Sequence, residues 1–237
     1  MYENRVVLFI DILGFKNLIY KNQDNTTKIT EIIKLIEKLH DLCSKTGEED
    51  DLKFDFNYNR QVSVFSDNIV ISYKDEGPAE FYIAREAMVI QGILQSLGIN
   101  VRGGLTKGEL YHRGDIIVGP ALIRAYQLES KIAIFPRIVV DRIMEADWCM
   151  LAKDFDGIYF LDYLGNVEIW SAFLEYNEDI KTEECLLKIN SEIFIDCSTD
   201  LRVSEKYGWM KKYISESIEC INGRVNVIRF NKGTYIR

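Results

Sequence analysis

The chain has 237 residues, 47% of them hydrophobic and 12% aromatic, with 29 basic against 37 acidic side chains and a formal net charge of −8. Such a composition can bury a real core and excludes a disordered chain. No stretch of about 18 residues is free of charged or strongly polar groups, which argues against a membrane span, and the acidic balance argues against a general nucleic-acid partner.

The opening residues, MYENRVVLFIDILGF, lack the basic segment and small-residue cleavage site of a secretory signal. Five cysteines (Cys43, Cys149, Cys185, Cys197 and Cys220) form no CxxC pair, and there are only two histidines. That pattern reads as reduced thiols in a cytoplasmic protein without a structural zinc site.

Residues 5–10, Arg-Val-Val-Leu-Phe-Ile, form a nearly continuous apolar run, as expected of a central strand covered on both faces. Asp11 ends it and Gly14 follows. Ile29, Ile32, Ile33, Ile36, Leu39 and Leu42 then recur with helical period, with Thr26 or Thr27 as cap and His40 at the helix surface. After a polar loop at Gly47–Asp51, Phe54, Phe56 and Tyr58 alternate like a strand. Gln61–Phe65 and Ile69–Tyr73 read as a hairpin with Asp67 at its tip. Pro78 opens a helix expected to stop at Gly98.

Ile99–Leu110 reads as a strand whose Gly103, Gly104 and Gly108 suggest close backbone approach. Gly119-Pro120 begins a helix expected over Ala121–Lys131, and Pro136-Arg137 introduces a short strand, Ile138–Val140. A hairpin around Gly165 (158–161 with 167–170), helices near 179–198 and 202–221, and a strand at 224–230 complete the pattern. The order predicts α+β, with helices packed on a mainly antiparallel sheet. A core over residues 1–140 and an α/β extension over 141–237, mainly helical and packed on that core, are expected.

Asp11 at a strand end and Asp67 at a hairpin tip converge at one sheet edge if their strands are neighbours. Each residue type is also common in ordinary turns and caps. Paired carboxylates on rigid strands, with no His or Cys beside them, suit Mg²⁺ or Mn²⁺. Two such ions about 4 Å apart support phosphoryl transfer. The turn Ile12-Leu13-Gly14-Phe15, opening a helix, offers backbone N–H groups to phosphate oxygens.

Phe9-Ile10-Asp11-Ile12-Leu13-Gly14-Phe15 resembles the first metal motif of the class III nucleotidyl cyclases, and Phe65-Ser66-Asp67-Asn68 stands where that family has its second metal-binding aspartate. Residues 101–109 (VRGGLTKGE) are similar to its glycine-containing strand, and residues 119–129 (GPALIRAYQLE) to the start of its dimer-interface helix. The resemblance covers about residues 5–140. It implies a ferredoxin-like, palm-type sheet with two metal ions held by Asp11, Asp67 and the Ile12 carbonyl. It also implies a homodimer with active sites at the interface.

The family's purine-reading lysine falls at Ser63 and its acidic partner at Ile116, while the transition-state Asn and Arg fall at Ile123 and Gln127. With the metal end kept and the purine-reading end gone, the chain looks like the pyrimidine cyclases of the bacterial Pycsar antiphage systems, whose Gly-Pro-Ala helix start and Pro-Arg-Ile segment it shares. The resemblance implies CTP or UTP as substrate, a cyclic mononucleotide as infection signal, and a separate cyclic-nucleotide-sensing effector. Tyr58, Arg60 and Ser63 are candidates for base contact, Tyr58 and Arg60 being equally readable as strand-surface residues. Leu13, Gly14, Phe15 and Arg113 are candidates for phosphate contact, with Arg102 and Arg137 as phosphate ligands or structural ion pairs. Arg124 is a candidate for transition-state charge, and His112 reads as a surface-loop residue. A catalytically silent nucleotide-binding or dimerisation module of the same fold is the alternative.

Overall fold

The computed structural model describes residues 1–45, 59–96, 99–144, 150–165 and 200–221. The expected strand at 54–58, Trp148, Trp170, the 167–170 strand, the 179–198 helix and the 224–230 strand lie outside the described residues.

The chain runs β1 (Glu3–Ile12), α1 (Phe15–Asn22), α2 (Thr26–Lys45), β2 (Gln61–Phe65), β3 (Asn68–Lys74), α3 (Ala79–Ser96), β4 (Val101–Arg113), β5 (Ile116–Val118), α4 (Pro120–Gln127), β6 (Ile138–Val140), β7 (Leu151–Lys153), β8 (Tyr159–Leu161) and α5 (Leu201–Ile221). The sheet order is β2-β3-β1-β4-β6-β8-β7, with β5 paired to β4 outside that path. β2-β3-β1-β4 is antiparallel throughout, and with α2 and α3 it forms the ferredoxin-like split βαβ arrangement. β4 and β6 are parallel. The α+β expectation is met: this is a mixed sheet with helices packed on it.

β1 is covered on both faces. Val6, Leu8, Ile10 and Ile12 enter a large core with α3 and α5, whereas Val7 and Phe9 pack with Val70, Leu110, Ala121 and Ala125 under α4. The pleat sends alternate side chains to opposite faces, so two covered faces require an unbroken apolar run. α3 is buried nearly all round, from Ile83 to Gln95.

Several local expectations are corrected. Neither Thr26 nor Thr27 caps α2; Asn25 does, its Oδ1 accepting from the Lys28 N–H at 3.1 Å. The helix expected to reach Lys131 is α-helical only to Gln127 and widens to a π-helix over Leu128–Ile132. The hairpin expected around Gly165 has its second strand outside the described residues. β8 lies between β6 and β7, so both its edges are taken, and its hairpin partner is β7 across the Asp156-Gly157 turn, with Gly157 at φ 80°. An Asp-Gly pair supplies the left-handed conformation such turns favour. Gly104 is present for contact, since a Cβ there would lie 2.6 Å from the Leu128 Cβ, and α4 could not pack so closely on β4. No described helix is long and apolar enough to cross a membrane.

His112 is not a surface-loop residue. It is on β4 and buried, with Nδ1 2.8 Å from Ser72 Oγ and Nε2 3.0 Å from Ser63 Oγ. Arg5 Nε donates to Ser72 Oγ at 2.8 Å, and Ser63 Oγ donates to the Gly114 carbonyl at 2.8 Å. One direction of donation satisfies all four contacts: Arg5 to Ser72, Ser72 to His112 Nδ1, His112 Nε2–H to Ser63, Ser63 to Gly114. The imidazole is therefore neutral, and burial, then the charge of Arg5, hold its pKa down to about 4.

In the unfolded chain the same group takes a proton near its ordinary value of about 6.5. Between those values the unfolded state binds more protons, so the stability His112 contributes is present above pH 6.5 and is lost as pH falls toward 4. Denaturant unfolding of the wild type and His112→Gln from pH 7.5 to 4.5 should show the gap between them narrowing by roughly 2 kcal/mol. A gap that does not change with pH would refute the neutral relay.

Candidate functional site

The register of β1 sets the site. Asp11 stands opposite Asn68 of β3 and Arg102 of β4, so Asp67, one residue before Asn68, is brought to the same end of the sheet. The two acid-bearing turns are fastened by main chain: the Ile12 N–H donates to the Asp67 carbonyl at 3.0 Å, and the Leu13 N–H to the Asn100 carbonyl at 2.9 Å. Gly14 follows at φ 81°, a left-handed conformation that costs glycine little, and lets the chain turn from β1 into α1.

A cavity of about 440 Å³ opens over these turns. Asp11, Ile12, Leu13, Gly14, Phe15 and Asp67 all line it. Asn100, Arg102, Lys206 and Tyr207 line it as well; of these the sequence singles out only Arg102.

The electrostatics centre on Arg102. Its Nε–H donates to Asp11 Oδ2 at 3.2 Å, and the same nitrogen lies 2.6 Å from Glu129 Oε1 in an ion pair. Because the N–H is aimed at Asp11, Glu129 Oε1 receives no hydrogen bond from the described residues. Glu129 is only 2% exposed. Burial chiefly raises its pKa to about 7, Arg102 opposing and Asp11 adding to the rise. Asp11 is also raised, by burial first and then, against the pull of Arg102, by the charge of Asp67. Sequence reading missed Glu129, whose place depends on the π-helical turn that carries it.

Among the described residues, the remaining candidates are not gathered into this cavity. Arg60 pairs with the buried Glu86, Nη2 to Oε1 at 2.5 Å, and Tyr73 donates to the same carboxylate at 2.7 Å. Ser63 is engaged by His112 and Gly114. Arg113 lies over the Tyr111 ring at 5.7 Å. Arg124 grips Asp141 with two N–H groups at 2.6 and 2.8 Å. Tyr58 is outside the described residues. Of the two readings of Arg137, the structural ion pair is the one found: it is fully buried, paired with Asp154 and Asp156, and packed against the Phe135 and Phe160 rings.

No protein-family model matches the chain, and no curated protein does. Solved structures with a similar backbone include the guanylyl cyclase Cya2, at 11% identity and a TM-score of 0.42 over 68% of this chain and 91% of that one. A second is the catalytic core of a rhodopsin-guanylyl cyclase with converted specificity in complex with ATPαS, at 14% identity and a TM-score of 0.47 over 68% and 95% of the two chains. A class III adenylyl cyclase-like ATP-binding protein from Pseudomonas aeruginosa gives 13% identity and a TM-score of 0.38 over 60% of this chain and 34% of that one. All three share little sequence with this chain.

The donor set of the cavity is one that suits a hard cation. Asp11 and Asp67 present carboxylate oxygens, and among the described residues no His or Cys borders the cavity. Among the described residues no group of three or more His, Cys, Asp or Glu side chains forms a ready-made cage. Mg²⁺ suits such a site, because it takes one or two carboxylates and completes its shell with water and substrate phosphates.

Proposed function

We propose that the chain is a nucleotidyl cyclase that converts CTP or UTP to the 3′,5′-cyclic monophosphate and pyrophosphate. The observation that carries this reading is the convergence of Asp11 and Asp67 on adjacent, main-chain-fastened turns at a cavity bordered by the N-terminus of α1. Asp11, Asp67 and the Ile12 carbonyl would hold two Mg²⁺ or Mn²⁺ ions. Ions so placed supply Lewis acidity that lowers the pKa of an attacking hydroxyl and neutralises charge on a phosphoryl group. With the Leu13 N–H given to Asn100, the Gly14-Phe15 end of the turn would hold the polyphosphate through its backbone N–H groups, which would orient the α-phosphate toward the ribose 3′-OH.

Pyrimidine preference is supported by the positions where purine cyclases read their base. Ser63 is engaged by His112, and Ile116 is an exposed apolar residue. A homodimer is supported by the exposed apolar residues of β5 and α4, Ile116, Val118, Ile123 and Tyr126. In that dimer α4, which carries Arg124, would face the metal-bearing half of the partner's site. Residues 1–140 are the catalytic core, 141–237 the extension, and the cyclic product is an antiphage signal for a separate effector in the cytoplasm.

A second reading, a catalytically silent nucleotide-binding or dimerisation module, is favoured by the ion pair that ties Asp11 to Arg102. Incubation of the pure protein with each nucleoside triphosphate and Mg²⁺ or Mn²⁺ decides between them. A cyclic product from CTP or UTP, and little from ATP or GTP, is expected. No cyclic product from any of the four sinks the cyclase reading, and a purine preference overturns the base assignment.

A further inference from the structure

The C-terminal helix reaches the cavity. Val203, Lys206 and Tyr207 of α5 line it together, and their i, i+3, i+4 spacing puts them on one helix face. The helix is fixed by its following turns. Trp209 Nε1 donates to Asp154 Oδ2 at 2.7 Å, and the Tyr213 hydroxyl donates to Asp162 Oδ1 at 2.7 Å and accepts from the Leu164 N–H at 3.0 Å. Met210, Tyr213 and Ile214 are no more than 1% exposed. Lys206 is therefore carried by a rigid element and not by a loose arm.

Its ammonium group is also uncommitted. Lys206 is half-buried and makes no hydrogen bond or ion pair with the described residues. Burial and the nearby charge of Arg102 lower its pKa, with Asp11 opposing. Of the other cations lining the cavity, Arg102 is held between Asp11 and Glu129, and Lys16 is exposed and lies over the Tyr20 ring. A desolvated ammonium beside a cavity, lacking a carboxylate of its own, is a ready donor to an incoming anion.

We propose that Lys206 is a binding residue for the polyphosphate of the nucleotide, delivered to the acid-bearing cavity by the C-terminal helix of the same chain. This rests on the reading of the cavity as a nucleoside triphosphate site. It gives the extension a direct part in substrate binding, from outside the segment that resembles the cyclases.

The test uses the full chain with two probes, inorganic tripolyphosphate plus Mg²⁺ by calorimetry and Mn²⁺ alone by electron paramagnetic resonance. Lys206→Ala should weaken tripolyphosphate binding about tenfold or more, the worth of one charge-assisted hydrogen bond. It should leave Mn²⁺ affinity unreduced, and Lys206→Arg should restore most of the loss. Lys212→Ala, on the solvent side of the same helix and paired there with Glu216, should bind as the wild type does. Equal affinity of the wild type and Lys206→Ala, or an equal loss in Lys212→Ala, overturns the proposal. A wild type that binds no tripolyphosphate overturns both it and the site reading. Lys206-dependent binding without cyclisation of any nucleotide keeps the proposal and rejects the cyclase.

Discussion

Asp67→Asn should abolish metal-dependent cyclisation, lowering the rate by roughly a thousandfold or more, which corresponds to about 4 kcal/mol of barrier. Asparagine keeps the size of the side chain and can keep the turn, but it removes one of the two anionic ligands on which the proposed metal pair depends. Asp67 is half-buried in a two-residue turn, and its backbone contact with Ile12 uses the carbonyl and not the carboxylate. The variant should therefore melt within a degree or two of the wild type while losing activity and Mn²⁺ affinity together. Cyclic product retained at more than a tenth of the wild-type rate would remove Asp67 from the site.

Arg137→Ala should cost about 3–5 kcal/mol of unfolding free energy. Arg137 and Asp154 are both fully buried, and Asp154 also accepts from Trp209 of α5 and from the Phe155 N–H at 2.8 Å. Removing the guanidinium strands a carboxylate in the core and leaves a void between Phe135 and Phe160. Arg137→Lys keeps a charge but cannot serve Asp154 and Asp156 at once, so a smaller loss is expected. Urea unfolding of the two variants checks the order. Against a typical total stability of 5–15 kcal/mol, the alanine variant sits near the limit of folding and the lysine variant keeps the test readable. A loss below about 1 kcal/mol for alanine would show that the network is a passenger.

The sheet was legible because its signals are local. The apolar run of β1, the hairpin around Asp67 and the helical period of α2 each depend on near neighbours, and the structure places them as the pattern predicts. The meeting of Asp11 and Asp67 followed from those two strands being neighbours. What the sequence did not disclose depends on distant partners. Glu129 looks like an ordinary helix residue until the π-helical widening turns it under Arg102. His112 looked like a loop residue because β4 runs through Arg113, three residues beyond its expected end. Arg137 was readable by type as a phosphate ligand or as a structural ion pair, and its burial against Asp154 decides for the pair. Lys206 lies far along the chain, and helical period places it on a face without saying what that face meets.

The bond from the Ile12 N–H to the Asp67 carbonyl has a consequence for how this site can change. The gap between the two acid-bearing turns is set by main chain and strand register, so it does not depend on which side chains surround the cavity. Substitutions at the rim can alter charge, base preference or affinity while the frame stays closed. Geometry and chemistry at this end of the sheet are separately mutable, and a new specificity can be acquired there without first unlocking the fold.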